Sequence, residues 1–409
     1  MKSVLFSAFL GTLIEVYDFS VFPFFIPILS EVFFSSYEKS NALNFTILAY
    51  VVSYFVKPIS AIVCGYLMDY LGRRRVFIFT TVLMTVATSS IALMPSSLMS
   101  WGYGTLLIIC RVLQGVAISG EFSTAIIMAV EEGKKRSALV GCIAFIGGAT
   151  GLLLANLSVL IVLHSIPHEQ MIHFGWRIPF LIGAIGCISL LYIRSGLKHD
   201  FVDSKKPYTF KSLFKANKRA LWLVFIVSSL SASAFYITFV FLPTLLSTLL
   251  ALHTHQDAIL MTLAALILYV VALPLGGILA DRIGILRQIK IAITLYLLFS
   301  YMTFNAIPAL GLLGGMVILV LFSIIQALLN SALPVFIVEQ FEFNQRGKAL
   351  GVSYNISLAL FGGLLPFIIA TYNNHLNPGI PITICAVLCL IFINFKEVKH
   401  GYLRSKFAD

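Results

Sequence analysis

The sequence predicts an all-α membrane protein of twelve transmembrane helices in two pseudo-symmetric six-helix bundles. Three observations carry that prediction. The first is composition: of 409 residues, 59% are hydrophobic and only 11% are charged. Mean hydropathy is +0.97, whereas a soluble domain carries charge on about a quarter of its residues. A bilayer accepts that much apolar surface, provided each backbone polar group is satisfied within a helix or a closed barrel. The second is run length. The apolar runs last about 20 residues or more, enough to span as helices, where a barrel would alternate over segments of about 10. The third is the placement of positive charge, which follows once the spans are drawn.

The first apolar run, 4–28, follows Met1-Lys2-Ser3 directly. A cleaved signal peptide is the competing reading. The run has no small-x-small cleavage site and carries Glu15 and Asp18, so it is read as the first transmembrane helix. Further runs predict helices at 43–68, 76–95, 103–130, 138–163 and 177–195, closing a bundle over 1–195. The longest polar interruption, 196–219, carries Lys198, Lys205, Lys206, Lys211, Lys215, Lys218 and Arg219 and is read as a linker. Runs at 220–246, 258–280, 288–306, 312–339, 347–371 and 381–396 predict a second bundle over 220–396, followed by a tail, 397–409.

On this span list, 24 of the 28 lysines and arginines fall on one side of the membrane. The other side has Lys39 and Arg177, while Lys57 and Arg111 lie within spans. Such a bias over short loops makes the rich side cytoplasmic, with both termini there. The net charge of +11 is therefore a topology signal, and no nucleic-acid partner is implied. The six cysteines all sit in apolar runs, where small core residues are expected. Only the i, i+4 pair Cys385 and Cys389 has metal-ligand spacing, and it too is read as core, so no metal site and no cofactor are expected. Six histidines (His164, His168, His173, His253, His255, His375) fall in the opposite loops. They are read as solvated; a metal-chelate role is the competing reading.

A repeat links the halves. Gly65-Tyr-Leu-Met-Asp69-Tyr-Leu-Gly72-Arg73-Arg74-Arg75 follows the second span, and Gly277-Ile-Leu-Ala-Asp281-Arg282-Ile-Gly284-Ile-Leu-Arg287 follows the eighth, at an offset of 212. Arg136 with Gly141 matches Arg346 with Gly351 at an offset of 210, and Glu131 and Glu339 precede them. In the first loop Gly65 admits a neighbouring helix, Asp69 ends its helix near a basic cluster where it can pair with an arginine, and Gly72 permits a tight turn. Gly65, Asp69, Gly72, Arg73, Glu131, Asp281, Arg282, Glu339 and Arg346 are thus candidate members of a latch that holds the cytoplasmic ends together in one state. For Arg73 to Arg75 alone, fixing topology is the competing reading. A parallel repeat suits alternating access about a central site.

The repeated loop resembles the signature of the major facilitator superfamily. Gly11-Thr-Leu-Ile-Glu15-Val-Tyr17-Asp18-Phe19 resembles the first helix of its metabolite:proton symporters, which carry citrate, 2-oxoglutarate, shikimate, and proline or betaine. So do Lys57-Pro58, Arg111-Val-Leu-Gln114-Gly115 through Glu121, Gly175-Trp176-Arg177-Ile-Pro179-Phe180, and Tyr354-Asn355 with Phe361-Gly362-Gly363. Lys57 stands where that family has arginine, which weakens any borrowed account of bidentate carboxylate binding. The resemblance implies a bacterial inner-membrane symporter that takes a small-molecule substrate and protons as partners and works as a monomer.

Charges inside the bilayer cost about 2.5–3.5 kcal/mol each on insertion scales, so they mark function. Glu15, Asp18, Lys57, Arg111 and Glu121 all belong to the first half. Glu15 and Asp18 share a helix face, and two neighbouring carboxylates in a low dielectric resist simultaneous ionisation. They are the proton-coupling candidates; neutralising Lys57 or Arg111 is the competing reading. Glu121, beside Gly120, is read as a helix-packing partner. Lys57, ahead of the helix-bending Pro58, and Arg111 are substrate-binding candidates, and each can instead pair internally. Tyr17, Gln114, Tyr236, Gln326, Asn330, Tyr354 and Asn355 complete that set, and Tyr269 is a further neutral polar group.

The resulting expectation is proton-coupled import of a small polar metabolite of the carboxylate, amino acid or betaine class. The alternative is a proton-coupled exporter of a drug or siderophore, for which Gly147-Gly148-Ala-Thr-Gly151 lacks the usual proline. An enzyme is not expected, since no phosphate loop, catalytic Ser or Cys signature or metal motif is present in the sequence.

Overall fold

The computed structural model describes residues 2–71, 73–95, 101–133, 137–195, 210–249, 254–371 and 377–394. These residues form helices, with no strand among them. Helix 1 is Lys2–Phe24, continued by Ile26–Phe33 after a break at Phe25 between Pro23 and Pro27. Helix 2 is Lys39–Leu71, helix 3 Arg73–Leu93 and helix 4 Trp101–Glu132. Helix 5 joins Ser137–Gly141 to Ile143–Ser165, and helix 6 is Arg177–Ser195. Helix 7 begins at Phe210–Phe235 and widens into π turns through Leu249. Helix 8 is His255–Ile283, helix 11 Arg346–Ser357 with a π turn at Leu358–Leu364, and helix 12 Gly379–Asn394.

Helices 9 and 10 lie within the single long stretch Ile285–Glu339, interrupted at Gly311. Gly311 has φ +61, a conformation that L side chains rarely adopt. The contacts show that the chain folds back there. Gln288 donates to Leu328 O and Ser331 Oγ, and Tyr296 donates to Gln326. The Phe304 and Phe322 rings lie 5.6 Å apart. Each pair is centred near residue 311, as an antiparallel hairpin requires. The predicted linker is partly helical, since helix 7 starts at Phe210 and changes direction at Asn217 (φ −123), whose amide donates to Gln345.

The outer surface is apolar as well as the core. Leu275, Leu313, Ile185 and Met302 stand exposed, as lipid-facing residues do. The chain is a multi-pass membrane protein.

The first six and last six helices meet at both ends of the molecule. At the end bearing the basic loops, the Asp281 carboxylate accepts hydrogen bonds from the Ala138 and Leu139 backbone N–H groups at 2.9 and 3.1 Å. It therefore caps the start of helix 5, where the helix dipole favours an anion. Gly277 makes the approach possible, since a Cβ there would come within 2.8 Å of Leu139 Cα. Beside it, Arg346 pairs with Glu131 at 2.9 Å. Arg282 is exposed, and Glu339 closes helix 10 half-buried. Gly72 and the side-chain positions of Gly65, Asp69 and Arg73 lie outside the described residues. At the far end, a ring N–H of His255 donates to Phe24 O at 2.7 Å, and Gln256 donates to Leu163 O at 2.7 Å. His255 thus opens helix 8 rather than sitting in a loop.

Candidate functional site

Two polar layers cross the first six helices. The layer farther from the basic end joins helices 1 to 4. Asp18 Oδ2 accepts from Thr88 at 2.5 Å and from Gln114 Nε2 at 3.1 Å. Gln114 Oε1 in turn accepts from Arg111 at 2.7 Å, and Arg111 also reaches Ser53 Oγ at 3.2 Å. The two cations of this layer share one ring. Arg111 Cζ lies 4.4 Å from the Phe19 centroid, and Lys57 Nζ lies 4.2 Å from it. Phe22 supports Arg111 at 4.3 Å and Tyr54 supports Lys57 at 3.8 Å. Such cation–π contacts hold an ammonium without neutralising it. Among the described residues no carboxylate pairs with Lys57 or Arg111.

The second layer lies nearer the basic end. Glu121 follows Arg111 by ten residues on helix 4, about 15 Å along the axis. Arg194, near the end of helix 6, holds Glu121 with both guanidinium nitrogens. The same Nη1 bonds Thr81 Oγ1 at 2.5 Å and lies 3.6 Å from Glu15 Oε1. Gly11 leaves room for this pair, since a Cβ there would stand 2.7 Å from Arg194 Nη2. Glu15 Oε2 is buried without a hydrogen-bond partner.

Between the two sets of helices lies a cavity of about 80 Å³. At roughly 10–15 Å³ per water centre, it holds about five to eight waters, the volume of a solute of about ten heavy atoms. Lys57 is the one charged residue on its wall among the described residues. Phe122 and Phe145 face it from the first six helices, and Phe235, Tyr236, Tyr269, Tyr354, Ser231, Asn330 and Asn355 from the last six. Phe122 stacks on Tyr354 across the divide, 6.3 Å apart and 9° from parallel. Asn330 is oriented by Tyr269 at 2.7 Å and Ser231 at 2.6 Å, and Asn355 donates to Ser123 at 3.2 Å. Two of the π turns, at Tyr236 and Leu358, border this space, where such widened turns often mark function.

Of the sequence-derived substrate candidates, Lys57, Tyr236, Asn330, Tyr354 and Asn355 line the cavity. Tyr17 does not: its hydroxyl lies 3.2 Å from Ser158 and from Pro179 O. Val16 faces the cavity, and the next residue on a helix points about 100° away. Gln326 is turned inward among the last six helices, donating to Ser231 O at 3.2 Å. Arg111 and Gln114 stand behind Phe19 and act on Asp18. Glu15 and Asp18 do not neutralise Lys57 or Arg111 directly; Glu15 meets Arg194, and Asp18 reaches Arg111 through Gln114. Glu121 is an ion-pair partner of Arg194 as well as a packing residue. Arg194, counted with the linker charges, is buried instead, at 4% exposure. An arginine ending an apolar run reads as snorkelling, so nothing in the sequence marked it. Tyr54 was open to detection, since it sits three residues before Lys57 on the same face.

Residues 8–366 match the pattern of the Major Facilitator Superfamily. A putative proline/betaine transporter of Staphylococcus aureus (strain COL) is 28% identical, covering 96% of this chain and 89% of that protein. The ectoine/proline transporter ProP of Corynebacterium glutamicum is 27% identical over 88% of this chain and 75% of its own length. The inner membrane metabolite transport protein YhjE of Escherichia coli (strain K12) is 26% identical, with 92% and 89% covered. The crystal structure of a D-xylose-proton symporter superposes with a TM-score of 0.77 at 17% identity, over 97% of this chain and 99% of that one.

Proposed function

We propose that this chain, which belongs to the major facilitator superfamily, imports a small zwitterion together with a proton by alternating access. That it is a membrane solute transporter follows from the family and from its relatives. The observation that carries the finer reading is Lys57: a buried ammonium on the cavity wall, held by Phe19 and Tyr54, with no carboxylate partner among the described residues. A buried charge needs a counter-ion, and a solute carboxylate would supply it. Lysine suits this as a compact point charge, where arginine would impose a planar fork.

The opposite wall is aromatic. Tyr236, Tyr269 and Tyr354, with Phe122, offer ring faces to a secondary or quaternary ammonium, the chemistry by which aromatic cages bind such cations. Asn330 and Asn355 add neutral hydrogen-bonding groups. The relatives are named for proline with betaine and for proline with ectoine, solutes of this class. The excess of positive loops supports a cytoplasmic basic end, with both termini there, and the bacterial relatives support an inner membrane. Asp281, Glu131 and Arg346 then form the cytoplasmic closure, and His255 and Gln256 the outer one. Opening one set while the other holds exposes the cavity to each side in turn. The proton travels on a carboxylate of helix 1, Glu15 or Asp18. A single chain contains both walls, so the working unit is the monomer.

The test is solute-dependent proton uptake in proteoliposomes containing a trapped pH dye. Proline, glycine betaine, citrate, shikimate and a neutral sugar are added in turn. An acidification with the zwitterions alone supports this reading. A response to citrate or shikimate alone would remove the role given to the aromatic wall. Outward movement of a drug-like cation in inverted vesicles, without zwitterion uptake, would favour the exporter.

A further inference from the structure

Resting on the symport reading above, we propose that the transported proton resides on Glu15, and that Arg194 is the positioning residue that governs its release to the cytoplasm. The argument is one of charge and partners within the two layers. The outer layer holds two cations, Lys57 and Arg111, against one carboxylate, Asp18. The inner layer holds two carboxylates, Glu15 and Glu121, against one cation, Arg194. Each layer is one charge from neutrality. The outer one lacks an anion, which the solute carboxylate supplies; the inner one lacks a proton.

The three carboxylates are not equally served. Each carboxylate of helix 1 leaves one oxygen without a partner, Oδ1 of Asp18 and Oε2 of Glu15, but Asp18 Oδ2 accepts two hydrogen bonds, from Thr88 and from the Gln114 amide that Arg111 clamps. That arrangement suits a standing anion. Glu121 takes both nitrogens of Arg194. Glu15 has only the far edge of that guanidinium, 3.6 Å away, and its Oε2 has no partner. An anion buried so poorly is costly, and a neutral acid there is not. The ionisable groups facing Glu15 are Arg194 from helix 6, Glu121 from helix 4 and Asp18 from its own helix. Cys187 of helix 6 also lies within electrostatic reach of Glu15 and Asp18.

The step balances without a further reactant. A proton from the outside water binds Glu15 Oε2 and is carried through the turnover. It leaves to cytoplasmic water when Arg194 moves from Glu121 toward Glu15 and stabilises the anion. Coupling to the solute follows from the layers. With the cavity empty, the outer +1 partly offsets the inner −1. A zwitterion adds no net charge, but its carboxylate lies against Lys57 on the side of the first six helices and its ammonium against the rings of the last six, so the potential at helix 1 becomes more negative and favours a proton there. By linkage the enhancement is mutual: solute binding raises the affinity of Glu15 for the proton, and the proton raises the affinity for solute by the same factor.

The experiment compares wild type, Glu15→Gln, Asp18→Asn and Arg194→Lys in proteoliposomes. Three readouts are taken: zwitterion binding as a function of pH, solute counterflow without a gradient, and proton uptake. Glu15→Gln is expected to keep counterflow and to lose both proton uptake and the pH dependence of solute affinity. Asp18→Asn, which leaves both cations of the outer layer in place, is expected to keep solute binding and to leave uptake proton-linked. Arg194→Lys, which keeps the charge but not the fork, is expected to slow proton-coupled uptake more than counterflow. Proton-linked uptake persisting in Glu15→Gln, with its loss in Asp18→Asn, would overturn the assignment and place the proton on Asp18. Loss of binding in all three, with unchanged melting temperatures, would overturn it too, by making both layers part of the solute site. If wild type itself shows solute uptake without proton uptake, the symport reading fails first, a result distinct from either of these.

Discussion

The first six helices and the last six share one fold and differ sharply in chemistry. The former bury Glu15, Asp18, Lys57, Arg111, Glu121 and Arg194; the latter answer with Tyr236, Tyr269, Gln326, Asn330 and Tyr354. Both sets are threaded with hydrogen bonds, and both face the same cavity. A duplicated scaffold therefore does not require duplicated chemistry. Helix packing depends on small residues at crossings and on apolar faces, while an ion pair can be exchanged for an amide–hydroxyl pair of similar size. The division suits a carrier: one wall manages charge, and the other offers a ring-lined surface that costs little to desolvate.

The sharpest way to break this comparison is Arg194→Gln. It strands two buried carboxylates, and removing one partner of a buried ion pair destabilises by about 3–5 kcal/mol. The purified protein should melt at a clearly lower temperature, and adding Glu121→Gln should recover much of the loss. No change in melting would mean that the inner layer is already solvated.

Lys57→Met comes next. If the ammonium pairs with a solute carboxylate, its removal costs binding about 2–5 kcal/mol, measurable as a loss of zwitterion affinity by calorimetry. Lys57→Arg should retain part of it. Wild-type affinity in Lys57→Met would move the anion site elsewhere.

The matching change on the other wall is smaller. Asn330→Leu removes partners of Tyr269 and Ser231 and should cost about 1–3 kcal/mol of stability. An effect as large as that of Arg194→Gln would erase the contrast between charged and neutral halves. The smallest effect is expected from Asp281→Ala, which removes a helix cap worth about 0.5–2 kcal/mol. It should shift the protein toward the open cytoplasmic state, read as faster labelling of a cysteine introduced at Leu139. Unchanged labelling would show that Arg346–Glu131 closes that end alone.

The helices were legible because bilayer hydrophobicity acts locally. The predicted break at 307–311 falls at Gly311. Buried charge was legible on helices 1, 2 and 4, where single charges interrupt long apolar runs. Arg194 was not, since a charge at a helix end looks the same whether it turns to solvent or inward.

Sequence alone determined the number of spans, the sidedness expected of them, the repeated loop and the residue types available to a site. Each follows from the cost of placing a given side chain or backbone group in hydrocarbon, which depends on little beyond the chain itself. Tertiary structure decided which charges meet. It sent Glu15 to Arg194 instead of Lys57, turned Tyr17 away from the cavity that Val16 faces, and made Asp281 a cap for helix 5. Those outcomes rest on rotations of about 100° per residue and on approaches of a few ångströms between helices far apart in sequence, to which electrostatic pairing is sensitive and hydropathy is not.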